Sequence, residues 1–334
     1  MSNLPNTFRA FVVDKPQGGT FSRGVRDVSA RDLPPGEVTV HVTWSGVNFK
    51  DGLAAREDGR VARAYPLIPG IDLAGTVVQS DDNEFPIGSA VLAHGYDIGV
   101  ARHGGFGELA RVPSAWAVAL PKALSPREAM EIGTAGFTAA MSVAALEERG
   151  LRPGDGPVLV TGASGGVGSA AIAILASRGH EVWGATGKTE EHDRLRDLGA
   201  AGFLTRDEVT APGRPLERER WAGAVDTVGA ATLPYALRTL RIGAAVASSG
   251  NASGAELATT VFPFILRGCA LLGMDSANMA IDRRRALWQR LASDLLPRGV
   301  ADGITEVTLD TLEPALDGIH AGQARGRWLV RVGE

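Results

Sequence analysis

A glycine-rich segment at residues 158–168 offers the clearest chemistry in this chain. It reads Val-Leu-Val-Thr-Gly-Ala-Ser-Gly-Gly-Val-Gly, with glycine at positions 162, 165, 166 and 168. Because glycine has no Cβ, the backbone can turn sharply there and come close to a ligand. A helix that begins at such a loop presents unpaired N–H groups and the positive end of its dipole, which favour a bound phosphate. The spacing Gly-x-x-Gly-Gly-x-Gly therefore predicts a pyrophosphate site, with a purely structural turn as the alternative.

The next apolar run indicates which dinucleotide would bind. Residues 180–186 read as a strand, and in NAD sites such a strand usually ends in Asp or Glu, which binds the ribose 2′-hydroxyl. This chain has Thr186, Gly187 and Lys188 at that place, and Arg206 follows the next short apolar run. A 2′-phosphate is attracted by the two cations, whereas a carboxylate would repel it. The pattern predicts NADPH rather than NADH; the alternative for Lys188 is a solvated loop lysine.

These residues need a strand, a turn and a helix to position them. Residues 169–177 contain good helix formers with apolar spacing close to the helical period. Further upstream, Ser125 precedes Glu128 at the spacing of a capping box, with Pro126 at the first helical position, so a helix should begin there. Helical and strand patterns then alternate as a doubly wound parallel sheet requires, which predicts an α/β fold.

The segments on either side of this alternating zone have a different pattern. Residues 1–125 are rich in short strands with turn signals, such as the alternating run 37–43. Residues 266–334 return to mixed structure, with an arginine-rich helix near residues 283–285 and a final strand at 326–332. The sequence therefore predicts three zones, of which only the middle one, residues 126–265, has the nucleotide-binding pattern.

Composition restricts the class of protein. A chain of 334 residues is long enough for two domains with substantial cores, and its 44% hydrophobic content is that of a soluble globular protein. The net charge of −4 gives no basic surface for nucleic acid. We find no secretory signal pattern, and no apolar run approaches the ~20 residues of a membrane span. We therefore expect a cytoplasmic protein with neither nucleic-acid nor membrane partners.

The chain contains a single cysteine, Cys269. One cysteine excludes an internal disulfide and a zinc site of the four-cysteine kind. Its neighbours suggest a buried strand, so we expect a small core side chain and not a nucleophile.

The order of these motifs resembles that of the medium-chain dehydrogenase/reductase superfamily over nearly the whole chain. In that family the two flanking segments form one GroES-like catalytic domain, the middle forms a Rossmann domain, and the active site lies in the cleft between them. The resemblance implies a GroES-like domain made of residues 1–125 and 266–334, and a Rossmann NADPH-binding domain of residues 126–265. It also implies a homodimer.

Several stretches are more specifically similar to the zinc-free quinone oxidoreductase and acrylyl-CoA reductase branch. They are residues 48–51, 68–75, 132–138, 155–162, 221–229, 263–268, 272–276 and 326–327. Together they resemble the acrylyl-CoA reductase subgroup, whose members reduce acryloyl-CoA to propanoyl-CoA with NADPH. The run Ser-Ser-Gly-Asn-Ala-Ser at 248–253 is closer to quinone oxidoreductases. An NADPH-dependent quinone or enone reductase therefore stays open, as does an NADPH-binding protein without enzymatic activity.

The residues that hold zinc in other members of the family are missing. Where those members have their first cysteine ligand, this chain has Gly46, and no His-Glu pair follows Gly70. No two of His41, His94 and His103 have the spacing of metal ligands. We therefore predict that the protein uses no metal.

The resemblance implies a reaction in which hydride adds to the β-carbon of an enoyl thioester. Negative charge then develops on the thioester oxygen, where hydrogen-bond donors lower the barrier, and a proton must reach the α-carbon. The implied catalytic segment is Asn48, Phe49, Lys50 and Asp51. The subgroup has tyrosine where this chain has Phe49, so a tyrosine proton donor is missing here. The alternative is that Asn48 caps a helix and Lys50 is solvated.

The remaining predicted site residues fall into two groups. The predicted cofactor-binding residues are Thr138, Ser164, Gly165, Gly166, Val167, Gly168, Thr186, Gly187, Lys188, Arg206, Ser249, Gly250, Asn251, Met274 and Arg325. The basic residues predicted to meet the phosphates of a CoA substrate are Arg56, Arg60, Arg63 and Arg284. For these arginines the alternative is an ordinary solvated side chain.

Overall fold

A computed structural model describes residues 4–333, which divide into two compact units. Unit 1 contains the described residues up to Thr134, Ala277–Ala292, and those from Ile304 onward; unit 2 contains Ala135–Ser276 and Ser293–Gly303. Both flanking segments thus contribute to unit 1. The division differs from the predicted limits at residues 125 and 265, because the chain enters unit 2 later and leaves it later.

The secondary structure alternates between strands and helices in the middle of the chain and is strand-rich before it. The strands are β1 (Thr7–Asp14), β2 (Ser22–Ser29), β3 (Val38–Gly46), β4 (Asp72–Ser80), β5 (Ala90–His94), β6 (Leu109–Val112), β7 (Ala117–Ala119), β8 (Val158–Thr161), β9 (Val182–Ala185), β10 (Ala200–Leu204), β11 (Gly223–Asp226), β12 (Ala245–Ser248), β13 (Ala270–Gly273), β14 (Ile304–Thr308) and β15 (Arg327–Arg331). The α-helices are α1 (Phe49–Ala54), α2 (Pro126–Glu148), α3 (Gly166–Ser177), α4 (His192–Asp197), α5 (Arg206–Thr210), α6 (Thr232–Thr239), α7 (Phe262–Arg267), α8 (Ile281–Leu291) and α9 (Leu312–His320).

Unit 2 is built on a parallel sheet with the strand order β10-β9-β8-β11-β12-β13. Counted from the first strand of the unit, this is the order 3-2-1-4-5-6 of the doubly wound Rossmann fold. The strands β8 and β11 are neighbours although two strands lie between them in sequence, so the direction of winding reverses there. In such sheets a dinucleotide binds at the carboxyl ends of the strands beside this reversal. The predicted α/β architecture is confirmed.

The last strand of this sheet corrects one predicted boundary. The strand β13 lies beyond residue 265, yet it pairs in parallel with β12 and so belongs to unit 2. Cys269, just before β13, is buried as predicted. The strand itself is not buried, because it lies at the edge of the sheet and exposes every second residue.

Unit 1 contains a larger mixed sheet and a separate β1–β2 hairpin. The sheet has the order β14-β15-β3-β4-β5-β7, and β6 also pairs with β3. The alternating run 37–43 forms β3 and the final predicted strand forms β15, in an antiparallel pair with each other. Buried aromatic and aliphatic side chains, among them Phe11 and Phe106, fill the core of this unit. The pairing of β15 with β3 brings the end of the chain to the residues that precede α1.

Helix α2 begins where the capping pattern predicts. The Ser125 N–H and Oγ donate to the Glu128 carboxylate over 2.8 and 2.7 Å, and the Glu128 N–H donates back to Ser125 Oγ. The sequence reading missed a kink at Gly133, which has φ 49° and ψ −160°. Among residues 4–333, α2 is the one helix long and apolar enough to cross a membrane, and 78% of its apolar window is buried within the protein. A core helix has the same character.

Candidate functional site

The glycine loop of unit 2 connects β8 to α3 as predicted. Gly162 has φ 61°, and a Cβ there would collide with Thr227 Oγ1. A Cβ on Gly168 would collide with the Gly162 carbonyl oxygen, so both positions require glycine. Gly165 is the N-cap of α3 and brings no side chain to cap it. Because no side chain caps them, the first N–H groups of the helix are suited to bind an anionic ligand.

A buried aspartate, missed in the sequence reading, holds the loops around this site together. Asp226, at the end of β11, accepts hydrogen bonds from Thr161 Oγ1 and Thr232 Oγ1, each over 2.7 Å, and from Gly229 N–H over 2.9 Å. Ser249 N–H donates to the Asp226 carbonyl oxygen over 2.9 Å. The strands β8, β11 and β12 are thus fixed to one another at their carboxyl ends. The available signal for Asp226 in the sequence was an acidic residue at the end of an apolar run.

Beside the loop, the predicted 2′-phosphate residues lie together at the end of β9. Thr186 Oγ1 is 3.0 Å from Ser164 Oγ and accepts the Lys188 N–H over 3.1 Å. The Arg206 guanidinium is 3.6 Å from where a Cβ on Gly187 would lie. No carboxylate occurs among residues 186–188. The site therefore carries two positive side chains where an NAD site carries an acid.

A third cation, which the sequence reading missed, lies against the same loop. Arg194 Nη2 donates to the Ser164 carbonyl oxygen over 3.3 Å, and its Nε is paired with Glu191 over 2.8 Å. Arg194 is on α4, and only the fold of unit 2 brings it to the glycine loop. Its contacts indicate that it holds the loop in place.

The other predicted cofactor residues are distributed over both units. In unit 2, Gly250 and Asn251 follow β12 beside Ser249, and a Cβ on Gly250 would collide with the Thr227 carbonyl oxygen. Met274 follows β13, and Thr138 Oγ1 donates to Ser276 Oγ over 2.9 Å. Arg325 is an exposed residue of unit 1, just before β15. Their role in binding a cofactor stays a prediction.

In unit 1, the first turn of α1 is fixed by a buried carboxylate. Asp51 accepts the N–H groups of Asn48, Gly70 and Ile71 over 2.8, 3.1 and 2.8 Å. Burial, and then the neighbouring Asp72, raise the pKa of Asp51 to about 7, although these donors lower it. Asp51 therefore ties α1 to residues 70–71 and has no exposed oxygen.

The four predicted catalytic residues divide into two that face inward and two that face solvent. Asn48 Nδ2 donates to Asp72 Oδ2 over 2.9 Å, and Asn48 Oδ1 accepts from Arg327 Nη1 over 3.2 Å. With Asp51 also buried, the amide and carboxylate are used inside the protein. Phe49 is 39% exposed, with its ring 5.7 Å from that of His320, and Lys50 is exposed. Asn48 is thus the N-cap residue of α1 and Lys50 an exposed lysine, and the catalytic role of the four residues stays a prediction.

The inward-facing groups meet at Asp72, the first residue of β4. Its carboxylate accepts Arg327 Nη2 over 2.6 Å and the Thr134 N–H over 3.1 Å, and Thr134 Oγ1 also donates to it. Burial by itself would raise the pKa of Asp72, but the charge of Arg327, with these donors, holds it below its ordinary value. Asp72 is therefore an ionised, fully hydrogen-bonded group.

His94, also fully buried, extends this cluster toward α8. Its Nε2 accepts Trp288 Nε1 over 2.9 Å, so the ring proton is assigned to Nδ1, which donates to Thr134 Oγ1 over 3.2 Å. Burial, and then the charge of Arg284, lower the pKa of His94 to about 3. The imidazole is thus neutral and serves as a fixed hydrogen-bonding link.

The predicted CoA-phosphate arginines do not form one basic surface. Arg284 is fully buried and donates to the His94 carbonyl oxygen over 2.9 Å, so its prediction as a phosphate ligand is wrong. Arg56 is paired with Asp58 over 2.9 Å and Arg63 with Asp97. Arg60 is exposed, with φ 54°, and makes no ion pair within residues 4–333. Of the four, Arg60 has the environment of an available phosphate ligand.

Within the described part of the chain, no group of three or more His, Cys, Asp or Glu side chains could hold a metal ion.

Known proteins resemble this chain over its full length. Residues 34–122 match the alcohol dehydrogenase GroES-like domain, and residues 166–293 match the zinc-binding dehydrogenase family. The chain is 48% identical to acrylyl-CoA reductase AcuI of Ruegeria pomeroyi, covering 97% of this chain and 99% of the relative. It is 46% identical to the putative quinone oxidoreductase YhfP of Bacillus subtilis, covering 98% of this chain and 100% of that relative.

A crystal structure supports the same relationship. The yhdH oxidoreductase of Salmonella enterica in complex with NADP has a TM-score of 0.94 and 46% identity, covering 97% of this chain and 100% of that one. The predicted combination of a GroES-like and a Rossmann domain is thereby confirmed. The chain belongs to the medium-chain dehydrogenase/reductase superfamily, in the subgroup that contains acrylyl-CoA reductase AcuI.

Proposed function

We propose that this protein is an NADPH-dependent reductase of acryloyl-CoA, which it converts to propanoyl-CoA. The observation that carries the proposal is the 48% identity, over nearly the full length of both chains, to an acrylyl-CoA reductase. The geometry of unit 2 supports the cofactor, since the positive side chains of Lys188 and Arg206 lie at the end of β9 without an acid. The relative from Salmonella enterica was crystallised with NADP.

The residues of unit 2 fit NADPH in two places. The amino end of α3, with Gly165 and Gly166, would hold the pyrophosphate through backbone N–H groups. Lys188 and Arg206, with the Thr186 hydroxyl, would hold the 2′-phosphate. When bound, NADPH supplies the hydride that adds to the β-carbon of the substrate. The protein must then stabilise the enolate and deliver a proton.

Unit 1 supplies the substrate-facing groups of α1. Because Asn48 and Asp51 use their polar atoms internally, we assign them a supporting role and not a direct one. Lys50 is exposed and charged, so its ammonium group can stabilise the negative thioester oxygen as the enolate forms. The half-exposed ring of Phe49 provides apolar contact beside it. A proton from Lys50 or from water then completes the saturated α-carbon.

A quinone or enone reductase is the second candidate function. It is favoured by the 46% identity to the putative quinone oxidoreductase YhfP and by the sequence at 248–253. A panel of acryloyl-CoA, crotonyl-CoA and a quinone, followed by NADPH absorbance, tests both. We expect the highest kcat/KM with acryloyl-CoA; a higher value with the quinone would favour the alternative. NADPH binding without turnover of any substrate would contradict both.

We further propose that the enzyme is a cytoplasmic homodimer. Helix α7 and β13 expose apolar side chains next to an edge strand, including Ile265 and Leu266, which are 67% and 62% exposed. An apolar surface beside an unpaired strand edge is a surface that another chain can cover. A second copy fits, because two such edges related by a two-fold axis can pair with each other. The burial of most of α2 supports a location away from membranes.

The family match also raises the question of whether this protein uses a metal. The family matched by residues 166–293 is named for zinc, but the described residues, 4–333, contain no group of side chains that fits a zinc site. Gly46 has no side-chain atom that could bind a metal, and the carboxylates of Asp51 and Asp72 accept hydrogen bonds from N–H donors of the protein. We therefore propose a zinc-independent reaction.

A further inference from the structure

Arg194 contacts both segments of unit 2 that are proposed to bind the phosphates of NADPH. Its side chain, on α4, is 19% exposed. Nη2 donates to the Ser164 carbonyl oxygen in the glycine loop over 3.3 Å, and Nε pairs with the Glu191 carboxylate over 2.8 Å. Nη1 faces Gly303, where a Cβ would be only 3.0 Å away. The guanidinium is therefore enclosed by the glycine loop, by the start of α4 and by residues 300–303.

Glu191 connects Arg194 to the turn that carries Lys188. The Glu191 N–H donates to the Lys188 carbonyl oxygen over 3.1 Å, and the Lys188 N–H donates to Thr186 Oγ1 over 3.1 Å. Thr186 Oγ1 is in turn 3.0 Å from Ser164 Oγ. These contacts form a closed ring, whose members are Ser164, Thr186, Lys188, Glu191 and Arg194. The ring joins the glycine loop to the turn after β9 at two separate points.

The charge of Arg194 is compensated inside this ring. The Glu191 side chain is 6% exposed, so the ion pair with Arg194 is largely removed from water. Loss of one partner of such a pair leaves the other charge without compensation, which disturbs the structure around it. Arg206, by contrast, is exposed and lies near the same turn. The two arginines therefore suit different tasks, Arg206 the binding of a ligand and Arg194 the arrangement of the two loops.

We propose that Arg194 is a positioning residue that couples the pyrophosphate loop to the 2′-phosphate site and so increases the preference for NADPH over NADH. A ligand that binds both sites benefits when their separation is fixed in advance, because less conformational entropy is lost on binding. NADH lacks the 2′-phosphate and engages only the pyrophosphate loop, so it benefits less. The preference rests on the proposed cofactor site, whereas the coupling of the two loops does not.

The first test measures the Kd of each cofactor by isothermal titration. Arg196→Met is the matched control for Arg194→Met, because Arg196 is on the same helix in an exposed pair with Asp193. We expect Arg194→Met to raise the Kd for NADPH about tenfold and that for NADH about threefold or less, with both unchanged in the control. Arg194→Lys should resemble Arg194→Met, since one ammonium group does not reproduce the planar fork. An equal rise for both cofactors, or no rise, would overturn the proposal.

Glu191→Gln separates positioning from direct binding of a phosphate. If Arg194 bound the 2′-phosphate itself, removal of the neighbouring negative charge would strengthen NADPH binding. In the positioning role the same substitution breaks the ion pair, so we expect the Kd for NADPH to rise about threefold or more. Asp193→Asn, at an exposed acid of the same helix, controls for the change in charge. A Kd that falls or stays unchanged in Glu191→Gln would contradict the positioning role.

Hydrogen exchange without cofactor tests the coupling separately from cofactor binding. The Gly165 N–H is hydrogen-bonded within the glycine loop and the Lys188 N–H within the turn after β9. In Arg194→Met we expect both amides to exchange about tenfold faster, while the hydrogen-bonded Gly229 N–H after β11 stays unchanged.

The pattern of exchange distinguishes the outcomes. Acceleration in only one of the two loops would mean that they are not coupled, and equal acceleration at Gly229 would indicate a general loss of stability; either result would overturn the proposal. If the wild-type protein binds NADPH and NADH equally well, the proposed 2′-phosphate site is wrong. The exchange measurement then still decides whether Arg194 couples the two loops.

Discussion

At the scale of single residues, the two units use charge in different ways. Unit 2 exposes Arg206 near the end of β9, beside the partly buried Lys188, at the proposed 2′-phosphate site. Unit 1 contains a buried ion pair, in which Asp72 and Arg327 are 2.6 Å apart and make further hydrogen bonds to the protein. An exposed charge remains available for binding, whereas a buried, saturated pair fixes the structure around it.

Reversing the charge of Lys188 should reveal which cofactor the site prefers. Lys188→Glu places a carboxylate beside the proposed 2′-phosphate, so we expect the KM for NADPH to rise about tenfold or more, equivalent to ~1.4 kcal/mol. The KM for NADH should change far less. Lys122→Glu, an exposed lysine in unit 1, controls for the net charge. Equal changes for both cofactors would rule out the 2′-phosphate assignment.

The buried carboxylate of Asp51 should make stability depend on pH. Its pKa is about 7 in the folded protein, while an unfolded aspartate ionises near 3.9, so the unfolded state loses its proton first. The stability that wild type has over Asp51→Asn is therefore complete below about pH 4 and declines as the pH rises to about 7.

Denaturant unfolding at several pH values measures this difference. Asp81→Asn is the control, because Asp81 is an exposed aspartate of the same unit. A stability difference that grows between pH 4 and pH 7 would show that the N–H donors around Asp51 outweigh its burial.

At the level of secondary structure, the turn between β8 and α3 is the proposed pyrophosphate site. Gly162 needs glycine for two separate reasons, its φ of 61° and its closeness to Thr227. Gly243 has φ 77°, but a Cβ at this position would have no heavy atom within 4 Å. The two positions therefore share the conformational constraint and differ in the steric one.

Replacing these two glycines separates conformation from contact. Both Gly162→Ala and Gly243→Ala should lose ~1–2 kcal/mol of stability from the left-handed backbone. Only Gly162→Ala should also displace the loop, and we expect its Kd for NADPH to rise at least about tenfold. Isothermal titration measures the Kd. An unchanged Kd in Gly162→Ala would mean that the loop does not bind the pyrophosphate.

For the whole molecule, we expect the free edge of the unit 2 sheet to form the interface of the proposed homodimer. Light scattering should give a mass of two chains, each of 34.8 kDa. Introducing charge at Ile265 and Leu271, as Ile265→Asp with Leu271→Lys, should yield monomers because charged side chains oppose burial in an interface. Ile87→Asp, at an apolar residue that is 63% exposed in unit 1, should leave the dimer intact. A wild-type protein that is monomeric at micromolar concentration would contradict the proposal.

Local sequence patterns were sufficient to predict the architecture of unit 2 and the residues of its proposed cofactor site. The glycine loop, the capping box at Ser125 and the absence of an acid after β9 are local patterns, because turns, caps and apolar periods act over a few residues. They predicted the strand–loop–helix unit, the start of α2 and the cluster of Lys188 and Arg206. The kink at Gly133 was not predicted, and the groups that exclude a Cβ there, Arg327 and Asp72, are distant in sequence.

The contacts of the residues around α1 could not be predicted from local patterns. From the sequence, Asn48 and Asp51 are polar groups suited to catalysis, and Arg284 is a cation suited to a phosphate. In the fold all three are engaged with buried partners. Arg327 and Asp72 meet although 255 positions separate them, because β15 pairs with β3 and β3 with β4. Contacts at such separation depend on strand order and register, which local patterns do not encode.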